Sequence, residues 1–95
     1  MKYDTAEIRA VARRLKNCAS SVSSLSTREL GQLRERMEGD FKGQAASALN
    51  ERLGELQGDV LKIGEGLETI GAELLAFARR LDLADQASRE HIQKQ

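Results

Sequence analysis

A heptad repeat of apolar residues in the second half of the chain limits what the chain can fold into. Apolar side chains alternate spacings of three and four residues for five heptads without a miss. They are Leu49, Leu53, Leu56, Val60, Ile63, Leu67, Ile70, Leu74, Phe77, Leu81 and Ala84. Chance seldom sustains such spacing, which is that of the seam of a coiled-coil helix. The repeat therefore predicts one helix over about residues 44–87, roughly 65 Å long.

A shorter repeat predicts another helix in the first half, over about residues 5–38. Asp4 is a good N-cap and Glu7 completes a capping box, so the helix should begin at Thr5. The apolar positions that follow are Ile8, Val11, Leu15, Cys18, Val22 and Leu25, and then Leu30, Leu33 and Met37. One residue too many separates Leu25 from Leu30, inside a serine-rich run that weakens a helix. We expect a bend or a fray there.

Two glycines, Gly39 and Gly43, lie between the helices and predict a turn over about residues 39–43. The first 43 residues carry nine basic and six acidic side chains, and residues 44–95 carry six and nine. Antiparallel arms of opposite charge attract each other modestly. The sequence predicts a single all-α domain over residues 1–95, an antiparallel two-helix hairpin of coiled-coil type, with a polar tail at residues 88–95 that frays.

Composition supports this fold and argues against several classes of function. Proline is absent and aromatic residues make up 3% of the chain, so little interrupts a helix and little favours a sheet. Fifteen basic and fifteen acidic residues cancel, which argues against nucleic-acid binding. No apolar run approaches the roughly 18 residues of a membrane span. The polar start of the sequence is also unlike a Sec signal peptide.

Glycines within the second helix suggest a further packing surface beside the heptad seam. A stripe of small and apolar residues runs along one side of this helix, and its members are Gly54, Leu61, Gly64, Gly71, Leu75 and Ala78. Each helical glycine costs on the order of 1 kcal/mol relative to alanine, so a compensating contact is expected. We interpret the stripe as the site where another hairpin packs closely to form a dimeric four-helix bundle. The alternative is a flexible helix whose glycines face water.

No residue pattern predicts catalysis, a cofactor or a metal site. His91 is the only histidine and lies in the polar tail. Cys18 is the only cysteine, which excludes an internal disulfide, and its seam position predicts a buried, inert thiol. No carboxylate pair is specified as an acid and base couple. The chain is therefore expected to be non-enzymatic, without cofactors or metals.

The run Phe41-Lys42-Gly43-Gln44-Ala45-Ala46-Ser47-Ala48-Leu49 resembles the WXG family of type VII secretion (ESX) proteins, in which Trp-x-Gly precedes small residues and a large apolar residue. Phe41 stands in place of the tryptophan, and Gly43 matches the glycine. The opening helix is also similar to the first helix of that family. Near the end, Leu81 and Asp85 lie where the family often has the export signal Tyr-x-x-x-Asp, with leucine in place of tyrosine.

The resemblance implies a non-enzymatic hairpin that is made in the cytoplasm and dimerises with itself or with a sister hairpin. Such proteins reach the cell surface or the medium through the type VII machinery of Gram-positive bacteria, without a cleavable signal peptide. Because Leu81 lacks the tyrosine hydroxyl, we expect Asp85 to be a partial signal and export to depend on a partner. Two alternatives are an adaptor that brings a larger toxin with a helical N-terminal domain to the secretion ATPase, and an unrelated cytoplasmic coiled-coil scaffold.

Overall fold

The computed structural model describes residues 4–94, and the side chains of residues 4–91. The described chain is an antiparallel two-helix hairpin with dimensions of 79 × 14 × 13 Å. Its radius of gyration is 21.9 Å, whereas a compact domain of this length would have one of about 12 Å. The predicted all-α hairpin is confirmed, and its shape is that of a rod.

The first arm comprises α1 (Thr5–Ser24), a π-helical segment (Leu25–Leu30) and α2 (Gly31–Asp40). α1 begins where the Asp4 cap predicts, because the backbone N–H of Glu7 donates to Asp4 Oδ1 at 3.2 Å. The π-helical segment lies where the sequence repeat contains one extra residue. A π-helical turn absorbs an extra residue without ending the helix. The expected bend or fray is therefore a continuous helical segment.

The turn depends on the backbone of Phe41 and Gly43. Phe41 ends α2 in an extended conformation, with φ −120° and ψ 134°. Gly43 has a φ of 111°, which side-chain-bearing residues rarely adopt. The N–H of Ser47 then donates to the carbonyl of Gly43 at 3.1 Å, at the start of the second arm. Glycine is thus required at position 43 for the chain to reverse direction.

The second arm is a single helix, α3 (Gln44–Lys94). It continues beyond residue 87, where the sequence places its end, and includes residues 88–94 of the tail that is expected to fray; Gln95 lies outside the described residues. Contacts between side chains one turn apart support the extension. Arg89 pairs with Asp85 at 3.0 Å, and Gln86 donates to Glu90 at 3.4 Å.

The two arms meet through small residues rather than through the leucine seam. Ala12, Ala19 and Ser26 of the first arm are buried against Gly71, Gly64 and Gln57 of α3, although Gln57 itself is only half-buried. A Cβ atom on Gly71 would lie 3.2 Å from the carbonyl oxygen of Ala12, so the helices approach closely here. Each step of seven residues along the first arm matches a step of seven in the reverse direction along α3, which is antiparallel coiled-coil packing.

The heptad residues of α3 consequently flank this contact instead of forming it. Leu53, Val60, Leu67, Leu74 and Leu81 are half-buried on one side of it. Leu49, Leu56, Ile63, Ile70 and Phe77 lie further round the helix and are exposed. The prediction that all of them form the seam between the arms is wrong for the exposed group, because glycine and alanine allow a closer approach than leucine does.

Candidate interaction surface

An unpartnered apolar surface extends across both arms of the hairpin, and we call it the apolar face. It comprises Val11, Cys18, Leu25 and Leu33 of the first arm with Leu49, Leu56, Ile63, Ile70 and Phe77 of α3. On the first arm, Val11, Cys18 and Leu25 each come one position before a residue that contacts the other arm. The apolar-face residues of α3 also come one position before such a residue. One position corresponds to a rotation of about 100° round the helix. Since the arms are antiparallel, this rotation carries both groups to the same side of the hairpin.

The exposure of the apolar face is unusual for large aliphatic residues. Ile63 is 58% exposed and Ile70 is 48% exposed, near the middle of the rod. Along α3 the face runs from Leu49 to Phe77, a distance of about 42 Å at the helical rise per residue. Long contiguous apolar patches on soluble proteins mark sites of association. The apolar face is therefore the candidate functional site.

The small-residue stripe predicted to hold a partner instead contacts the first arm of the same chain. Gly64, Gly71 and Ala78 are buried, and the first two abut Ala19 and Ala12. The remaining members are Gly54, which lies against Arg34, Leu61, which is 38% exposed, and Leu75, which is half-buried. The predicted close contact exists, but placing the stripe against another chain is wrong for Gly64, Gly71 and Ala78, because the first arm already covers them.

A polar layer between the centre of the rod and the hairpin tip does not follow from the sequence analysis. Ser26 Oγ donates to the carbonyl of Gln57 at 2.8 Å, and Gln57 Nε2 donates to the carbonyl of Ser26 at 2.8 Å. Arg34 extends the layer by donating to Asn50 Oδ1 at 3.0 Å and to Gln57 Oε1 at 3.2 Å. The layer supplies a side-chain donor to a carbonyl of the π-helical segment. Gln57 begins a series of positions, seven residues apart, that continues with Gly64, Gly71 and Ala78. This spacing is the sequence signal that could have identified the polar layer.

Phe41 lies at the tip of the hairpin and is 58% exposed. It lines a shallow surface cleft with Met37, Gly43 and Ala46. Its ring is thus only partly packed, because the extended backbone at Phe41 directs the chain away from the body of α2. The structure leaves an aromatic ring accessible at the tip.

Leu81 and Asp85 lie one turn apart near the end of α3, and both are half-buried. Asp85 pairs with Arg89, and neighbouring Asp82 pairs with Arg9 at the start of α1. The Arg9 hydrogen bond, with a smaller contribution from Thr5, lowers the pKa of Asp82 below its usual value of 3.8. The proposed export residues therefore occupy an ordered helix at the end of the rod that is opposite Phe41.

The residues considered for chemistry are on the surface. Cys18 is exposed on the apolar face, so the expected buried thiol is wrong; the contact between the arms uses Ala19 instead. His91 is exposed on the last turns of α3. Within the described residues, no three His, Cys, Asp or Glu side chains are grouped to hold a metal ion. No described helix has both the length and the apolar composition required to cross a membrane.

The comparison with protein families agrees with this architecture. Residues 1–86 match the WXG100 family, described as proteins of 100 residues with WXG. The chain belongs to the WXG100 family. These are non-enzymatic helical hairpins of type VII secretion, and they often dimerise. No curated protein and no solved structure matched the chain. Family membership removes the alternative of an unrelated coiled-coil scaffold.

Proposed function

We propose that this WXG100 hairpin is a small type VII secretion protein that acts by helix–helix association through its apolar face, as a substrate or as the partner of one. The observation that carries the proposal is the row of exposed apolar residues along α3, from Leu49 to Phe77. A helix that presents such a row needs a second apolar surface to cover it.

The surface of the isolated hairpin supports the same conclusion. Its accessible area is 7372 Å². A folded monomer of 10.5 kDa is expected to expose about 5,400 Å². The excess reflects a two-helix fold that has no second layer to pack against. Association with another hairpin supplies that layer.

Export of the chain follows from its family, and we assign the signal to the end of α3. Asp85 matches the acidic position of the family signal and is held on a helix that continues past it. Leu81 has no hydroxyl and is half-buried, so it cannot replace the tyrosine chemically. We therefore propose that Asp85 acts as a partial signal and that efficient release needs a partner.

The second candidate is an adaptor that brings a larger toxin to the secretion ATPase, and the leucine at position 81 favours it. In that arrangement the toxin supplies the complete signal. Both candidates place the partner on the apolar face. They differ in the partner that release requires, which is another small hairpin for the first candidate and a larger toxin for the second.

Secretion from a type VII-competent host tests these proposals. The chain is expressed alone and together with the proteins encoded beside it, and the medium is assayed for the intact polypeptide. We expect efficient release only on co-expression. A toxin-like neighbour as the required protein supports the adaptor. Efficient release of the lone chain that Asp85→Ala abolishes contradicts partner dependence, and retention under every condition contradicts secretion itself.

A further inference from the structure

The π-helical segment decides which residue of α2 faces α3. The contact residues of the first arm are seven positions apart as far as Ala19 and Ser26. The series continues eight positions later at Arg34, whose side chain donates to Asn50 of α3. If the first arm were α-helical throughout, Leu33 would take this position, seven after Ser26. We call the observed arrangement the π register and the alternative the α register.

The π register is the less favourable one for burying apolar surface. Leu33 is 43% exposed, whereas Arg34 is half-buried. Within α2, which the structure describes throughout, no residue is fully buried. Burying a leucine normally stabilises a fold, and taking a guanidinium out of water is costly unless it is hydrogen-bonded. Other interactions must therefore favour the π register.

The polar layer supplies these interactions. Arg34 donates to Asn50 Oδ1 at 3.0 Å and to Gln57 Oε1 at 3.2 Å. Gln57 exchanges two hydrogen bonds of 2.8 Å with Ser26, which lies within the π-helical segment. Asn50 in turn donates to Glu38 Oε1 at 3.1 Å. Among the described residues, every buried side-chain nitrogen and oxygen has a partner. The layer thus connects the π-helical segment with the last turn of α2.

Asn50 and Gln57 are the α3 residues that distinguish the two registers. In the α register Leu33 would replace Arg34 opposite them, and their amide oxygens would lose the guanidinium. A polar group that loses its partner on burial carries a desolvation cost. A single polar residue at a contact position specifies register in coiled coils for this reason.

We propose that the polar layer locks the rotation of α2 about its axis. Arg34, Asn50 and Gln57 hold the first arm in the π register. Without them the arm adopts the α register, in which α2 is turned by about 100°. Arg34 is accordingly a positioning residue, which acts through the rotation of the helix that carries it.

The lock determines what the tip of the hairpin presents. Phe41 directly follows α2, so a turn of α2 reorients its ring. Leu33 leaves the apolar face in the α register, and on the first arm that face then ends at Leu25. The inference goes beyond the proposed function, because it concerns the conformation of a single chain whatever binds to the apolar face.

Spin-label distances between the arms test the lock. Glu35 and Glu51 are exposed, and each follows a residue of the layer by one position, so both side chains point away from the apolar face in the π register. In the α register Glu35 lies two positions after the contact residue, about 200° round the helix. Labels on Glu35→Cys and Glu51→Cys should then be about 5–10 Å further apart. The labels are placed in a Cys18→Ala background, and labelled chains are diluted with unlabelled ones.

Asn50→Leu combined with Gln57→Leu removes the layer. We expect electron paramagnetic resonance to show the longer distance in this double variant, with helix content retained in circular dichroism. Deleting Thr27 from the double variant should restore the wild-type distance. The reason is that a segment one residue shorter keeps Arg34 in the contact as an ordinary α-helix.

Labels on Arg13→Cys and Ala72→Cys are the matched control. Both residues are exposed and follow contact residues by one position, but on the other side of the π-helical segment, so their distance should stay constant in every variant. A distance between Glu35 and Glu51 that stays short in the double variant overturns the lock. A broad distance distribution with loss of helix content also overturns it, because the layer then keeps the tip folded instead of choosing its rotation. Failure of the Thr27 deletion to restore the distance overturns the exchange of registers.

Discussion

Individual glycines in α3 differ in what surrounds them, and this decides their roles. A Cβ atom on Gly64 would lie 3.0 Å from Ser23 Oγ and 3.4 Å from the carbonyl oxygen of Ala19. A Cβ atom on Gly58 would meet nothing within 4 Å. Glycine lowers helix stability equally in both places, but only the glycines facing α1 gain a close helix contact in return.

Replacing Gly71 by leucine should therefore destabilise the hairpin itself. Leucine favours the helix more than glycine does, but its side chain has no room beside Ala12 and Lys16. We expect a loss of about 1–3 kcal/mol in the free energy of unfolding, measured by urea denaturation followed by circular dichroism. The matched control, Gly58→Ala, should gain up to about 1 kcal/mol. A Gly71→Leu variant as stable as the control would show that α1 and α3 do not approach closely at this point.

The elements of the hairpin are joined at its open end by an ion pair between α1 and α3. Arg9 donates to Asp82 there, and the pKa of the Asp82 carboxyl is lowered as a result. A carboxyl whose pKa is lower in the folded state stabilises the fold above its unfolded pKa. That contribution disappears as the pH falls through the folded pKa. Both side chains of the pair are partly exposed to solvent, so the effect of the contact is small and weakened by salt.

The pH dependence of the melting temperature tests this contact. Wild type should melt slightly higher than Asp82→Asn between pH 5 and pH 7. The difference should shrink as the pH falls below 3.8 towards the lowered pKa of the folded Asp82 carboxyl, which then becomes protonated. Glu68→Gln removes an exposed carboxylate elsewhere on α3 and serves as the control. A difference between wild type and Asp82→Asn that persists at the lowest pH would indicate an effect other than the ion pair.

At the scale of the whole molecule, the hairpin is a rod with one apolar side and one polar side. Its arms bury small residues against each other and expose several of the largest ones on the apolar face. This arrangement suits a chain that completes its core by association, because two such faces together form the interior of a four-helix bundle. The length of the rod, 79 Å, spreads that interface along most of the chain.

A single charged residue at the centre of the apolar face should separate the associated species. Ile63→Glu places a carboxylate where the partner is expected, and burying it without a partner is costly. We expect light scattering to show the monomer mass, with the helix content of the hairpin retained. Leu83→Glu is a closely matched control, since Leu83 is 60% exposed and lies on another side of α3. Equal masses for the two variants would mean that association does not use the apolar face.

Several features of this protein follow from its sequence alone. The absence of proline and the sustained heptads specify two long helices, since these depend on local propensity and periodicity. The position of Gly43 marks the turn, because few other residues adopt its backbone conformation. The extra residue between Leu25 and Leu30 could also be found from the spacing. The π-helical conformation that accommodates this residue could not be found from the spacing, because it depends on the hydrogen bond that Gln57 Nε2 donates to the carbonyl of Ser26.

Only the tertiary structure decided which side of each helix faces the other helix. A heptad pattern shows which side of a helix is apolar, but an apolar side wider than one contact can serve two neighbours. Here the first neighbour, α1, takes the small residues around Gly64 and Gly71, where its backbone can approach most closely. The larger side chains, such as Ile63 and Phe77, are left for the second neighbour. Periodicity is a property of one helix, whereas this division of its surface is set by the distance at which two helices meet.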